Sequence, residues 1–224
     1  MNHALSLRRE TRIHEMKSPA RPMRGMSAVK THYQPYVCPL HAVLDHIPSE
    51  ARVYDIGCGS GSFLYLIRRL RSAIRAQGYD VSAEAIAAGQ QFSKLEPSIS
   101  VSLRGADYVP DLSDFDVVTM IDVLHHVPRQ EQAAFLGRIV AKMRGGSRIV
   151  ILDIDAGRRW QAWANQFHDL LLAREWANPR DPKSTIGFLR DAGIELDPPR
   201  FYSTLWYGHY LISGRSLSRQ NCSR

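Results

Sequence analysis

Cysteine is scarce in this sequence, and long apolar runs are missing from it. The three cysteines, Cys38, Cys58 and Cys222, stand far apart along the 224 residues. Their spacing fits neither a disulfide framework nor a zinc site, so we expect no metal. No apolar stretch approaches the roughly 20 residues that span a bilayer, and the amino terminus lacks the apolar core of a signal peptide. The sequence therefore predicts a soluble, cytoplasmic protein.

A basic folded surface is not indicated either, although the net charge is +7. Residues 1–30 hold seven Lys or Arg and two Glu, and residues 215–224 hold three Arg and no acid. The body between them holds 19 basic and 20 acidic residues. This distribution argues against a groove for specific nucleic-acid binding. It leaves basic tails that could contact a membrane surface or the acidic surface of an acyl carrier.

Length and composition favour one α/β domain with additions. A chain of 224 residues with 44% hydrophobic content closes one sizeable core and is too short for two full domains. Residues 1–30 are Arg-rich and broken by Pro and Gly, which predicts a disordered tail. We expect the domain at residues 31–214, with an insertion at 155–183 and a second basic tail at 215–224.

The most informative stretch is Val53–Phe63, where a short apolar run leads into three alternating glycines and then into an amphipathic segment. This order predicts a buried strand, a tight turn and a helix. Gly57, Gly59 and Gly61 allow a ligand to lie against the backbone beside free helix N–H groups. The third glycine falls one place earlier than in the G-x-G-x-x-G of dinucleotide sites. Asp55 adds a carboxylate, which would repel a pyrophosphate but suits an ammonium or a sulfonium.

The segment Asp55-Ile-Gly-Cys-Gly-Ser-Gly61 resembles the glycine motif of the class I S-adenosylmethionine (SAM) dependent methyltransferases. The resemblance implies a three-layer Rossmann-like α/β sandwich, with a mostly parallel seven-stranded sheet and an antiparallel C-terminal hairpin. It also implies SAM as the cofactor and S-adenosylhomocysteine as the product, with no metal. Asp55 and the three glycines would then bind the cofactor.

A second stretch, Gln77–Ile86, resembles the second motif of this family. Asp80 stands at the tip of the second strand, where it is placed to accept both ribose hydroxyls of an adenosine. Val81 follows it and is implied to contact the cofactor, while Ser82 is the better cap for the next helix. After the third strand, Asp107 is implied to receive the adenine amino group. An Asx turn is the other interpretation of Asp107.

The stretch Phe115–Pro128 strongly resembles the family's fourth-strand motif. Its apolar half, Val117–Ile121, predicts a central parallel strand with both faces covered. Ligands of open α/β sheets lie at the carboxyl ends of such strands. By the resemblance, Asp122 would hydrogen-bond the amino-acid part of SAM. His126 is a candidate general base, with packing as the alternative.

Two further regions are candidates for binding the methyl acceptor. Within residues 155–183, aromatic residues recur at three- or four-residue steps, which predicts a long helix that lies over the substrate or adds to the core. Trp160 and Trp163 are substrate candidates there, and His168 is a second candidate base. Tyr33 and Tyr36 precede the core and would either touch substrate or pack onto the sheet.

Hydrophobic patterns also place the remaining elements. Ser184 is expected to cap a helix from Thr185 to Ala192. The parallel strands are expected at Arg52–Ile56, Ile74–Tyr79, Ile99–Leu103, Val117–Ile121 and Ser147–Leu152. The terminal strands are expected at Ile194–Leu196, Phe201–Trp206 and His209–Ser213, with a turn at Tyr207 and Gly208.

These patterns together predict transfer of a methyl group from SAM to a small, largely apolar or aromatic acceptor, at oxygen rather than at carbon or nitrogen. One alternative is a lipid-like, polyketide or carrier-tethered acceptor. Another is a non-catalytic SAM-binding regulatory protein. Oxidoreduction with NAD is disfavoured by the position of Gly61 and by the charge of Asp55.

Overall fold

The computed structural model describes residues 38–73, 75–155, 178, 180–204 and 207–217. Five of the predicted site residues lie outside these ranges: Tyr33, Tyr36, Trp160, Trp163 and His168. The predicted tails and the helical insertion at 155–183 lie almost entirely outside them too. In the described part of the chain, no helix has the length and apolar character needed to cross a membrane.

Helices and strands alternate along most of the described chain. The helices are α1 (Leu40–Leu44), α2 (Ser62–Arg71), α3 (Ala83–Leu95), α4 (Gln132–Lys142) and α5 (Pro182–Asp191), with a 3₁₀ turn at Leu124–His126. The strands are β1 (Arg52–Ile56), β2 (Arg75–Asp80), β3 (Ile99–Leu103), β4 (Val117–Ile121), β5 (Arg148–Ile154), β6 (Ile194–Leu196), β7 (Arg200–Thr204) and β8 (Tyr207–Ser216).

The strands form one mixed sheet in the order β3-β2-β1-β4-β5-β8-β6, and β7 pairs with β8 as well. Strands β1 to β5 are mutually parallel, and β8 runs antiparallel to β5. The predicted Rossmann-like sandwich is confirmed. The described sheet has eight strands instead of the expected seven, because the short β6 and β7 both pair with the long β8.

Two hydrophobic cores lie on opposite faces of this sheet. The helices α1 and α2 pack on one face, and α4 and α5 pack on the other. All five residues of β4 are buried, as expected for a central parallel strand covered on both sides. Since side chains alternate between the faces of a strand, β4 contributes side chains to both cores.

Several predicted boundaries are wrong in detail. Helix α5 begins at Pro182, and its cap is Asp181, which accepts a hydrogen bond from Lys183 N at 2.9 Å; it is not Ser184. Proline at the first helical position is favourable there, because it has no N–H to leave unsatisfied. The turn predicted at Tyr207 and Gly208 is wrong, because both residues belong to β8.

Candidate active site

The glycine turn joins β1 to α2 at the carboxyl edge of the sheet. Gly57, Gly59 and Gly61 all have positive φ, at 69°, 54° and 77°. Gly61 is the N-cap of α2, so the helix begins at Ser62. A glycine cap carries no side chain, and the first N–H groups of α2 therefore depend on another partner such as a ligand.

The turn is packed on one side and open on the other. A Cβ on Gly57 would lie 2.3 Å from Val123 Cγ2, whereas a Cβ on Gly59 would meet no described atom within 4 Å. Cys58 is buried below the turn and packs against Gly78. The described side chains leave the turn open at Gly59, which is where a ligand would lie on the backbone.

A third helix supports the turn from outside. A Cβ on Gly89 of α3 would lie 2.4 Å from the carbonyl oxygen of Ser60. Only glycine permits this close approach of helix and turn. In the sequence, only one glycine within a helical pattern marks this contact, so it was not predicted.

Asp80 joins the turn to the tip of β2. Its Oδ2 accepts a hydrogen bond from Gly59 N at 2.8 Å, and its Oδ1 accepts one from Ser82 N at 2.8 Å. Ser82 caps α3 by accepting a bond from Ala85 N at 3.2 Å, as predicted. An ionised carboxylate has about four acceptor sites, so Asp80 can still accept hydrogen bonds from hydroxyl groups.

Asp55 lies at the end of β1 and is 2% exposed. It accepts a hydrogen bond from the Thr119 hydroxyl on β4 at 2.6 Å. Burial raises the pKa of the Asp55 carboxyl from 3.8 to about 7, the Thr119 hydrogen bond opposes this shift, and the charge of Asp80 adds to it. The two acids therefore act on each other electrostatically. A cation bound between them would relieve the cost of ionising Asp55.

Beyond Asp80, the edge of the sheet is apolar and exposed. Val81 is 61% exposed, and Leu103, which pairs with Asp80 across β2 and β3, is 47% exposed. Asp107 is also exposed, in the turn that Tyr108 N closes on Gly105 O at 3.1 Å. Two apolar side chains next to Asp80, the acid predicted to bind the ribose, suit contact with the flat face of a base. The adenine contact of Asp107 stays a prediction.

At the end of β4, Asp122 has a φ of 55°, in the left-handed region. Its Oδ1 lies 3.3 Å from Nε2 of His209, a buried residue of β8. Although burial alone would raise the pKa of Asp122, His209 and then His125 lower it to about 2. This close contact joins the tip of β4 to the C-terminal strand, and Asp122 keeps 29% of its side chain exposed.

The two histidines of the 3₁₀ turn have opposite environments. His125 is 4% exposed, and its Nδ1 lies 2.5 Å from Oδ1 of Asp153 on β5. The second oxygen of Asp153 accepts a bond from the His125 backbone N at 3.1 Å. His126, the predicted base, is exposed, and its ring lies 4.1 Å from that of His125. His125 is the buried histidine of this pair.

Comparison with known proteins identifies the family to which this chain belongs. A family model described as "Methyltransferase domain" matches residues 30–198, which is well over half of the chain. The chain belongs to the class I SAM-dependent methyltransferases. SAM is therefore the cofactor of this methyltransferase.

Two relatives are named as O-methyltransferases. The chain is 26% identical over 190 residues to the ubiquinone biosynthesis O-methyltransferase of Xanthomonas axonopodis pv. citri, covering 80% of this chain and 74% of the relative. It is 32% identical over 83 residues to the mitochondrial ubiquinone biosynthesis O-methyltransferase of Candida albicans, covering 35% of this chain and 25% of that relative. The second match thus spans only a quarter of the relative's length.

A solved methyltransferase shares the fold. Human N-acetylserotonin methyltransferase in complex with SAM superposes with a TM-score of 0.65 at 19% identity, covering 86% of this chain and 55% of the other. At this level of identity the likeness supports the fold alone.

The residues of this methyltransferase turn fit a bound SAM. The cofactor could bind against the open backbone at Gly59 and the start of α2, which has no side-chain cap. Asp80 would hold the ribose hydroxyls, and the buried Asp55 would favour a positive group. The structure brings the glycine turn, Asp55 and Asp80 together at one edge of the sheet, and Asp107 lies exposed in the turn after β3.

On the other side of Asp122, the methyltransferase has a cluster of polar side chains that was not predicted from the sequence. One nitrogen or oxygen from each of Asp122, His125 and Asp153 lies within 4.8 Å of the others. Cys38 joins Asp122 and His209 in the same way. Each carboxylate is paired with an imidazole, so we interpret the cluster as two acid–imidazole pairs. The expected absence of a metal stays a prediction.

This cluster is tied to the chain on both sides of residues 156–177. Asp153 stands just before that stretch, and Asn178 just after it donates from its backbone N to His125 O at 2.6 Å. The buried Gln132 side chain donates from Nε2 to Leu124 O at 2.9 Å and to Asn178 O at 3.1 Å. The 3₁₀ turn is therefore held by three separate segments of the chain.

Proposed function

We propose that this methyltransferase transfers the methyl group of SAM to a hydroxyl oxygen of a small, largely apolar or aromatic acceptor. The observation that carries the proposal is the position of the polar cluster. Asp122 borders the glycine turn through its neighbour Val123, and it also contacts His209 in the cluster. Carboxylates and imidazoles at that border suit an acceptor that carries a proton to be removed.

The relatives favour oxygen as the methylated atom. Both relatives described above are named for O-methylation in ubiquinone biosynthesis. The longer match covers 80% of this chain, including both motifs that surround the site. We therefore place oxygen before carbon and nitrogen, and phenols before other hydroxyl compounds.

The residues of this chain contribute mainly by binding and orientation. Bound SAM supplies an electrophilic methyl group on a positively charged sulfur. Asp80 and the backbone at Gly59 fix the position of the nucleoside end. Asp55 provides a buried negative charge for the positive end, and the cluster around Asp122 faces the acceptor. Holding two reactants at attack distance is worth roughly 7–11 kcal/mol in favourable cases, so the fold has little covalent chemistry left to supply.

The proposal is tested by measuring S-adenosylhomocysteine formation with 4-hydroxybenzoate, 3,4-dihydroxybenzoate and 1-naphthol, with mass spectrometry of the acceptor. We expect at least one O-methylated product. Methylation of an acyl chain only when it is tethered to a carrier would favour the carrier alternative. Absence of turnover with every acceptor, together with tight SAM binding, would contradict the proposal and favour a regulatory SAM-binding protein.

A further inference from the structure

We propose that Gln132 is a positioning residue for methyl transfer, because its buried amide joins the turn after β4 to the chain at Asn178. The inference rests on the proposed O-methylation, in which the acceptor lies beside Asp122. It adds a residue that was not among the predicted site residues. Gln132 acts through the backbone of the turn and needs no contact with the acceptor.

The amide of Gln132 donates to three backbone carbonyl groups. Gln132 begins α4 and is 0% exposed. Its Nε2 lies 2.9 Å from Leu124 O, 3.0 Å from Val127 O and 3.1 Å from Asn178 O. An amide nitrogen has two hydrogens, so two of these oxygens share one of them. The side chain thereby holds both ends of the 3₁₀ turn against a residue that follows Gln132 by 46 positions.

Asn178 is joined to the turn through both of its backbone groups. Its N–H donates to His125 O at 2.6 Å, and its carbonyl oxygen accepts a hydrogen bond from Gln132. Together the two bonds fix the distance and the direction of the chain at Asn178 relative to the turn. The bond from Gln132 is the one that a side-chain substitution can remove.

Burial makes the loss of these bonds costly. Leu124 is 1% exposed and His125 is 4% exposed. A buried carbonyl group that loses its donor carries the cost of its desolvation, so the backbone moves to regain a partner. An apolar side chain at residue 132 would withdraw the donor from three carbonyl groups at once. We therefore expect the turn and Asn178 to shift relative to each other in such a variant.

The turn belongs to the acceptor side of the site. Asp122 lies two residues before it, and His125 lies within it. One polar atom from each of these residues and from Asp153 lies within 4.8 Å of the others. A shift of the turn thus changes the arrangement of the groups that border the proposed acceptor. Misplacement of a reacting group by about 1 Å can lower a rate by about 10²-fold.

The cofactor side has supports of its own. Asp80 accepts a hydrogen bond from Gly59 N at 2.8 Å. On α3, a Cβ at Gly89 would lie 2.4 Å from Ser60 O, so this helix directly supports the glycine turn. Neither contact involves the turn after β4. Loss of the Gln132 amide should therefore affect the acceptor more than SAM, and this difference separates a positioning role from a general loss of structure.

The discriminating variant is Gln132→Met, because methionine has a similar length and no hydrogen-bond donor. With 3,4-dihydroxybenzoate as the acceptor, we expect kcat/KM to fall about 10- to 10²-fold, while the calorimetric Kd of SAM changes by less than about threefold. Gln90→Met is the matched control, since Gln90 is an exposed residue of α3. An unchanged kcat/KM in Gln132→Met would overturn the proposal. An equal loss of SAM affinity would overturn it too, because it indicates a purely structural role.

A second variant decides the question if Gln132→Met does not fold. Gln132→Glu keeps the shape of the side chain but has a donor only when its carboxyl group is protonated. We expect the ratio of its acceptor kcat/KM to that of the wild type to rise at least about threefold from pH 8.5 to pH 6.5. His125, His126 and Glu131 are present in both proteins, so the ratio cancels their contribution. A ratio that is independent of pH would overturn the proposal.

Failure of the proposed function is a separate result. If the wild type methylates no hydroxyl acceptor, O-methylation itself is contradicted, and the role of Gln132 in it is contradicted as well. If the wild type is active and Gln132→Met is equally active, only the role of Gln132 is wrong.

Discussion

Asp80 and Gly59 are joined by a hydrogen bond of 2.8 Å between the carboxylate Oδ2 and the backbone nitrogen. The bond connects the tip of β2 to the glycine turn that follows β1. The carboxylate that we predict to bind the ribose therefore also positions the backbone at Gly59. Loss of the Asp80 side chain should affect cofactor binding in two ways, through the lost contact and through a looser turn.

The opening at Gly59 predicts a variant that folds but binds SAM weakly. Gly59→Ala places a methyl group where no described atom lies within 4 Å, at a φ of 54°. Left-handed backbone costs an alanine roughly 1–2 kcal/mol, so the free energy of unfolding should fall only by about that amount. Calorimetry should show a loss of SAM affinity of tenfold or more.

Gly57→Ala is the informative comparison, because its methyl group would lie 2.3 Å from Val123 Cγ2 inside the protein. This variant should lose more stability than Gly59→Ala. If Gly59→Ala binds SAM as tightly as the wild type, the cofactor does not lie against this part of the turn.

Because Asp55 is buried, we expect removal of its charge to raise the stability of the protein and to lower its affinity for SAM. The pKa of Asp55 is raised from 3.8 to about 7 in the folded protein, so its favourable contribution to stability is complete below about pH 4 and is lost as the pH rises through 7. Asp55→Asn carries no charge, and its advantage in unfolding free energy over the wild type should grow from near zero at pH 4 to roughly 2–4 kcal/mol at pH 8. Urea unfolding at both pH values, with Asp191→Asn as the control, measures this difference.

The same carboxyl predicts how SAM affinity depends on pH. A cationic ligand prefers the ionised form of Asp55, so the affinity of the wild type should fall as the pH drops from 7.5 to 5.5. In Asp55→Asn the affinity should be lower and nearly independent of pH over that range. Calorimetry across the range decides the point, and an equal pH dependence in both proteins would show that Asp55 does not face the cationic part of SAM.

The pair formed by Asp122 and His209 predicts energetic coupling between β4 and β8. Removing His209 leaves the carboxylate without the partner that does most to lower its pKa to about 2. Because Asp122 is 29% exposed, we expect His209→Ala to lose about 2 kcal/mol at pH 7, less than a fully buried pair would. In an Asp122→Asn background the same substitution should cost much less. A double-mutant cycle with a coupling energy near zero would contradict the ion pair.

The cofactor side of the site was predictable because its signals are local in sequence. The glycine turn and Asp80 each follow a strand within one short motif, and parallel strands bring such tips to one edge. Spacing predicts the strands and the turn, and the resemblance to the methyltransferase motifs implies the roles of these residues. The structure confirms the positions of the strand tips and the turn and the helix cap at Ser82, while the cofactor contacts of these residues stay predictions.

The acceptor side was not predictable in the same way. The sequence shows Asp153 only as an acid near the end of a strand and His209 only as a residue of a terminal strand. Their partners are chosen by the register of β5 and β8 and by the geometry of a three-residue turn, which a single sequence does not encode in any local pattern. Which of the two adjacent histidines is buried depends on the geometry of that turn, which buries His125 and leaves His126 exposed.

The most direct test of the account is calorimetric binding of SAM to the wild type, Asp80→Ala and the control Asp191→Ala, an exposed acid of α5. Hydrogen bonds to charged groups contribute roughly 1.5–3 kcal/mol each, so Asp80→Ala should bind SAM at least tenfold more weakly than the wild type and the control. Equal affinity in all three proteins, or no binding in any, would contradict a SAM site built on the glycine turn and the tip of β2.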